Sequence, residues 1–144
     1  MNGRHLCLVL TMAASGCAIR NNVTPVAALE GEEVCIIRNS EVSNPVILDT
    51  YVGVLAGKGY AVRMLPASAK FSDCAVTSTY RGHWQRDMKM YLAYAEIKVY
   101  AKGRKIGEAS YDTSGAAMSF DKFKDPGETI YEMVNRLFPF TEAK

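Results

Sequence analysis

The chain has 144 residues, of which 49% are hydrophobic and 22% charged, and this composition is typical of one globular domain with a single core. Lysine and arginine together number 17 against 15 aspartates and glutamates, so the net charge of +2 provides no field that would recruit nucleic acid. These values exclude a disordered or fibrous chain and argue against a nucleic-acid partner.

The first feature along the chain is the apolar run LCLVLTMAASGC at residues 6–17. A membrane-spanning helix needs about 20 apolar residues and a buried strand rarely exceeds about 8, so the run fits neither. With Arg4 before it and small residues after it, the run is typical of a secretory signal peptide. We therefore expect residues 1–16 to be a signal peptide; a cytosolic chain with an apolar first strand stays open as an alternative.

The small residues AASG directly before Cys17 resemble the lipobox of bacterial lipoproteins. In that family the cysteine thiol receives a diacylglyceryl group, the chain is cut before the cysteine, and the new N-terminus is acylated with a chain such as palmitate. The resemblance implies that Cys17 is lipidated and that the lipid bilayer is a partner. Ala18, rather than aspartate, follows the cysteine, which by resemblance favours an outer-membrane lipoprotein facing the periplasm. A secreted protein without lipid is the alternative.

Residues 18–31, AIRNNVTPVAALEG, show no clear period. We expect residues 17–31 to be the acylated cysteine and a tether, and residues 32–144 to form a single α+β periplasmic domain.

Four cysteines are present, and two of them, Cys35 and Cys74, lie in the expected domain. In an oxidising periplasm a disulfide between them is the default, and it should stabilise the fold by about 4 kcal/mol. Two buried free thiols are the alternative. The spacing does not resemble a zinc site or a redox motif, so we expect no metal and no cofactor.

The domain begins with a β-α-β pattern. The β-branched stretch EEVCIIRN at residues 32–39 predicts a buried strand. A helix follows, with Asn44 as its predicted N-cap, Pro45 at the first helical position and apolar residues at helical spacing until Gly57. The stretch YAVRML at residues 60–65 predicts the second strand.

Three longer strands follow from Cys74 onward, with turns near residues 85–87 and 102–104, and together they predict an antiparallel meander. In the middle strand, alternation assigns residues 91, 93, 95, 97 and 99 to the core face and residues 92, 94, 96, 98 and 100 to the other.

DPGETIYEMVNRLFP closes the domain as a helix capped by Asp125, with Ile130, Val134 and Leu137 as its buried stripe. The order β-α-β-β-β-β-α predicts an α+β, two-layer domain whose mainly antiparallel sheet of about five strands carries two helices on one face.

The candidate binding residues lie on the meander: Arg81, Trp84, Arg86, Tyr94 and Tyr100. Tryptophan, tyrosine and arginine are enriched in binding hot spots, and the arginines could hold carboxylates of a peptide or of cell-wall material. The alternative is that Trp84 packs inward and the basic residues are only hydrated.

His83 is the only histidine after the signal peptide, so a catalytic triad would have to use it. The chain has no Gly-x-Ser-x-Gly elbow, and we therefore expect no catalytic residue and no enzyme. A small envelope hydrolase using His83 is the alternative.

The stretch from Tyr80 to Asp112, including YLAYAEIKVY and IGEASYD, with Asp121, Phe123 and LFP further on, resembles a family of small Gram-negative lipoproteins. The element order is also similar to the periplasmic α+β domains of outer-membrane assembly lipoproteins, which act by binding. These resemblances imply a membrane-anchored lipoprotein that acts as a non-catalytic binding or scaffolding module in the cell envelope, with an envelope protein or the cell wall as its partner.

Overall fold

Six strands form one mixed sheet, and two helices pack on one of its faces, in a computed structural model that describes residues 18–27, 29 and 31–141. The helices and strands are β1 (Arg20–Thr24), β2 (Glu33–Ile37), α1 (Val46–Gly57), β3 (Ala61–Leu65), β4 (Val76–Arg86), β5 (Met90–Ala101), β6 (Arg104–Asp112) and α2 (Pro126–Leu137). The order across the sheet is β1-β6-β5-β4-β2-β3. Within the described part of the chain, neither helix has the length and apolar character needed to cross a membrane.

The expected α+β class with two helices on one face is confirmed. The β4-β5-β6 meander is antiparallel, as predicted, while β2 pairs in parallel with both β3 and β4. Helix α2 begins as predicted, with Asp125 Oδ1 accepting from the Glu128 amide at 2.8 Å. Helix α1 begins one residue later than predicted, because Pro45 and not Asn44 is its N-cap, although Asn44 Oδ1 still accepts from the Val46 amide at 3.1 Å.

The core lies between the helices and the sheet. Tyr51 of α1 and Ile130 of α2 pack in one buried cluster with Ile36 and Ile97 of the sheet. Gly82 of β4 lets α1 approach closely, since a Cβ there would lie 2.2 Å from the Ile47 Cδ1 atom.

The expected tether is wrong in part, because Arg20–Thr24 form the edge strand β1 and pair antiparallel with β6. Val26, two residues later, is buried and its amide donates to the Leu137 carbonyl at 2.9 Å. The folded part of the chain therefore starts before residue 32. This strand gives little signal in the sequence because it is short and mostly polar, and only Val23 packs partly against the core.

The predicted alternation of β5 holds from residue 94 to residue 100 but is wrong at Leu92, which is 2% exposed in the core. The pairing of β4 with β5 shifts register between His83 and Trp84, so that Trp84 lies opposite Leu92 and both pack toward the helices. A β-bulge of this kind adds one residue to a strand and reverses which side chains face the core.

The segment that joins β3 to β4, residues 66–75, crosses the face opposite the helices, and we call it the arm. Right-handed crossovers explain this placement: α1 carries the chain from β2 outward to β3, and the arm returns past β2 to β4, which requires the other face. The arm includes a 3₁₀ turn at Phe71–Asp73. The second face of the sheet is therefore partly covered.

Candidate binding site on the open face of the sheet

The sheet face opposite the helices, beside the arm, is the open face, and the strand register arranges it in three polar rows. Each row takes one residue from each of β4, β5, β6 and β1: Thr79, Lys98, Glu108 and Thr24; Arg81, Glu96, Ser110 and Asn22; His83, Tyr94, Asp112 and Arg20. Residues directly opposite in such rows interact through their side chains. The open face is thus a mixed-charge surface that spans four strands.

Glu96 occupies the centre of this surface and is only 8% exposed. The Tyr94 hydroxyl donates to its Oε2 at 2.7 Å, and the Lys98 ammonium lies 3.0 Å from its Oε1. Burial alone would raise the pKa of Glu96, but the hydrogen bonds from Tyr94 and Lys98 outweigh burial and lower this pKa. Burial and the adjacent Glu96 raise the pKa of Tyr94 to about 12, so its hydroxyl remains a donor.

A cavity of about 420 Å³ opens beside Glu96, between the open face, the arm and the loop that follows β2. It is lined by residues 37–41, Ala67, Thr79, Tyr80, Arg81, Glu96, Lys98 and Tyr100. The loop is fixed to β4 because Asn39 donates its side-chain amide to the Tyr80 carbonyl at 3.0 Å and its backbone amide to the Tyr80 hydroxyl at 3.2 Å. The wall of the cavity is therefore pre-formed.

Two guanidinium groups border the cavity, and neither makes a close ion pair among the described residues, although the charge of Arg81 helps to lower the pKa of the neighbouring Glu96. Arg38 and Arg81 are both exposed, whereas the carboxylate of Glu96 is already held by Tyr94 and Lys98. A guanidinium presents a planar set of donors that matches a carboxylate in two parallel hydrogen bonds. The arrangement is suited to an incoming anionic group.

The structure brings Arg81, Tyr94 and Tyr100 of the predicted binding residues to the open face, but Tyr100 is partly covered. Its ring stacks on Phe71 of the arm, with ring centroids 4.3 Å apart. Tyr94 is half-buried and bound to Glu96. Of the two tyrosines, Tyr100 helps to hold the arm on the sheet.

Trp84 and Arg86 lie apart from this site. Trp84 packs against the core on the helix side of β4, where its buried Nε1 has no hydrogen-bond partner in the described part of the chain, so the inward alternative is the correct one. Arg86 ends β4, five residues beyond Arg81, which at 3.3 Å per residue separates the two by about 16 Å. Trp84 therefore contributes packing to the fold, and Arg86 belongs to a different part of the surface.

His83 is exposed at the end of the open face, opposite Tyr94. It does not line the cavity that contains Glu96 and Tyr100. A hydrolytic role for His83 would need a base, a hydroxyl and a carboxylate to converge on one substrate site. That convergence is not part of the cavity described above.

Cys35 and Cys74 form the predicted disulfide, and it fastens the arm to the sheet. Cys35 is fully buried on the face opposite its neighbours Val34 and Ile36, which pack in the core. The Glu33 carboxylate lies close to the two sulfur atoms, with all three ligand atoms within 4.8 Å. Because the sulfurs are bonded to each other, they are not thiolate ligands for a metal ion.

Sequence reasoning missed Arg38, although a signal for it existed. Arg38 directly follows β2, which is flanked by two parallel neighbours, and ligands often bind beyond the carboxyl ends of parallel strands. The position of the arm, which completes the cavity, had no comparable signal in the sequence.

No protein-family model and no curated protein matches this chain. Among solved structures, the fold is similar to the PelC dodecamer from Paraburkholderia phytofirmans, with a TM-score of 0.56 and 11% identity over 83% of this chain and 98% of that one. A variant of the same PelC aligns with a TM-score of 0.48 and 13% identity over 65% of this chain and 79% of that one. A minor lipoprotein from Acinetobacter baumannii has a TM-score of 0.35 and 13% identity, covering 81% and 100%. At these identities the likeness to PelC shows a shared fold.

Proposed function

We propose that this chain is a lipid-anchored protein of the bacterial envelope whose domain binds a carboxylate-bearing partner at the open face. The observation that carries the binding proposal is the pair Arg38 and Arg81, which are exposed at the border of a pre-formed cavity and make no close ion pair among the described residues. The acidic stem peptides of the cell wall and an acidic segment of an envelope protein are two sources of such a group. The proposed role is binding or scaffolding, without catalysis.

The proposed location in the cell envelope rests on two features. The apolar run and the small residues before Cys17 have the order of a lipoprotein signal, with residues 1–16 removed and Cys17 lipidated. The Cys35–Cys74 disulfide fits an oxidising compartment, where such bonds form and persist. Two or more acyl chains on Cys17 would hold the protein on the membrane stably, whereas a single chain holds only marginally. We propose the outer membrane, with the domain facing the periplasm.

Lipidation at Cys17 and the proposed membrane location are tested with the Cys17→Ser variant expressed in a Gram-negative host. We expect the wild-type protein to incorporate labelled palmitate and to sediment with membranes, and the variant to appear in the soluble periplasmic fraction. A wild-type protein without label, or a variant that still sediments with membranes, contradicts lipidation at Cys17.

The binding site is tested with purified cell-wall sacculi and with a synthetic acidic peptide, each used with free and with amidated carboxyl groups. We expect the wild-type domain to bind at least one of the two probes only while its carboxyl groups are free. Arg81→Gln should weaken this binding about tenfold or more, as expected for loss of a charge-assisted bidentate contact. Arg136→Gln is the matched control, because Arg136 is an exposed arginine on α2.

Two outcomes would contradict the binding proposal. Equal binding of free and amidated probes would show that carboxylates are not recognised. Equal losses in Arg81→Gln and Arg136→Gln would show that general positive charge, and not the cavity, produces the binding. Binding of the domain to sacculi alone, or to the peptide alone, identifies which of the two supplies the recognised carboxylate.

A further inference from the structure

Four large apolar side chains are exposed at one end of the described part of the chain, around the β4–β5 turn and the connection from β6 to α2. Met88 and Met90 are 84% and 56% exposed on the turn side, and Met118 and Phe120 are 90% and 76% exposed on the connection. Single exposed apolar residues are ordinary, but a cluster of them on neighbouring segments is typical of a contact surface. None of these four side chains lines the cavity on the open face.

A nearly buried lysine holds these two segments together. The Lys122 ammonium is 2.6 Å from the Asp87 carboxylate on the turn and 2.7 Å from the Ala117 carbonyl on the connection. Phe123 also packs edge-on against Tyr91 of β5, with ring centroids 5.5 Å apart. The apolar side chains therefore project from a fixed platform and not from independent loops.

The beginning of the described chain lies at this same end. A Cβ on Gly115 would be 2.7 Å from the Ala18 carbonyl oxygen, so Ala18 lies against the β6–α2 connection. Two residues later, Arg20 pairs with Asp112 at the end of β6. Cys17 is bonded directly to Ala18, which leaves no long flexible spacer between a lipid on Cys17 and this end of the domain.

We propose that this end, which we call the anchor end, inserts Met88, Met90, Met118 and Phe120 into the interface of the bilayer that holds the lipidated Cys17. The proposal rests on the lipidation proposed above. Acyl chains joined so close to the platform place the bilayer surface next to these side chains, and their transfer from water into the interface is favourable. The domain would then stand on the membrane in a fixed orientation.

Apolar contact with the lipid, and not attraction between charges, must stabilise the insertion of the anchor end. The anchor end carries cations and carboxylates in nearly equal number: Arg20, Arg86, Lys89 and Lys122 against Asp87, Asp112 and Asp121. Such a surface has little net attraction for anionic lipid. The insertion should therefore persist when salt is raised, whereas attraction between exposed charges is screened.

The test places a tryptophan at the anchor end and reads its depth in the membrane. The acylated mature Phe120→Trp protein is reconstituted into phosphatidylethanolamine and phosphatidylcholine vesicles whose acyl chains are brominated, because bromine quenches nearby indoles. Phe140→Trp is the matched control, since Phe140 is 70% exposed beyond the other end of α2. The native Trp84 packs against the core and supplies the background measured in the wild type.

We expect brominated chains to remove most of the emission added by Phe120→Trp, at low and at high salt, and to leave the emission added by Phe140→Trp unchanged. Flotation of the same vesicles reports the anchor separately. A protein that floats while the Phe120→Trp signal is unquenched is anchored but not inserted, which overturns this inference alone. A protein that does not float overturns the anchor and this inference with it. A blue shift that depends on protein concentration without vesicles shows that a second copy covers this end instead, and also overturns it.

Discussion

On the helix-covered face of the sheet the side chains are aliphatic, aromatic or small and nearly all buried, whereas the open face carries three polar rows and a cavity bordered by exposed arginines. The same strands build both faces, because successive side chains alternate. Burial on the first face supplies most of the stability of the domain. Polar side chains on the second face cost little in water and are available for recognition. The residues that hold the fold and the residues proposed to bind therefore lie on opposite faces of the same sheet.

The arm makes part of the open face structural, because it covers that part and is fastened there by one disulfide and one ring stack. Removing the disulfide in the double variant Cys35→Ser and Cys74→Ser should lower the free energy of unfolding by about 4 kcal/mol, from the loss of a cross-link over a sequence separation of 39 residues. Chemical denaturation measures the effect. Reduction should destabilise the wild type and leave the double variant unchanged; equal stability of the oxidised wild type and the variant would contradict the role of the cross-link.

Trp84 and Arg86 were both expected on a binding surface, and the structure assigns Trp84 to the core side. Trp84→Ala should lower the free energy of unfolding by about 3 kcal/mol, and Arg86→Ala should change it by no more than about 0.5 kcal/mol. Trp84→Phe should cost less than Trp84→Ala, because it fills most of the same space and removes a buried N–H that has no partner. Thermal or chemical unfolding checks all three. A Trp84→Ala protein as stable as the wild type would place this side chain outside the core.

A hydrogen-bond chain joins the helix layer to the sheet. The Tyr51 hydroxyl lies 2.6 Å from Ser78 Oγ, and Ser78 donates to the Lys98 carbonyl at 3.0 Å. Tyr51→Phe should lower the free energy of unfolding by about 1 kcal/mol, because Ser78 keeps one of its two partners. Partner binding at the open face should not change. A weakened binding with unchanged stability would show that the two faces are not separate in function.

Glu96 contributes a small effect on stability that depends on pH. Its pKa is lowered in the folded protein, so its stabilising contribution is present above the ordinary glutamate value of about 4.3 and is lost as pH falls through the lower, folded pKa. At neutral pH, Glu96→Gln should be less stable than the wild type by up to about 1 kcal/mol, and the difference should vanish in acid. Glu108→Gln is the control on the same face. A difference that persists at low pH would assign the effect to shape and not to charge.

Hydrophobic alternation and helix capping were sufficient to predict which residues of α1, α2 and most of β5 face the core. The same alternation failed at Leu92, because the bulge that reverses the strand depends on pairing with β4 and leaves no local mark. Strand β1 was missed because it is held mainly by pairing with β6, and only one of its side chains, Val23, packs partly against the core.

The sequence predicted less of the candidate site than of the fold, for a related reason. Alternation along β5 placed Tyr94 and Tyr100 on one face, but Arg81 and Arg38 join them only because β4 lies between β5 and β2 in the sheet. The cysteine count predicted the disulfide, yet not that this bond would hold the arm over Tyr100. Contacts between segments distant in sequence decided both features.

The claim that recognition belongs to the open face is tested most directly by site-specific photo-crosslinking in intact cells. A photoreactive amino acid replaces Thr79, which lines the cavity, or Asn135, which is exposed on α2. We predict that the crosslinker at position 79 captures cell-wall peptide or an envelope protein, that Arg81→Gln abolishes this capture, and that the crosslinker at position 135 captures neither. Equal capture from both positions, or capture from position 135 alone, would contradict the assignment of binding to the open face.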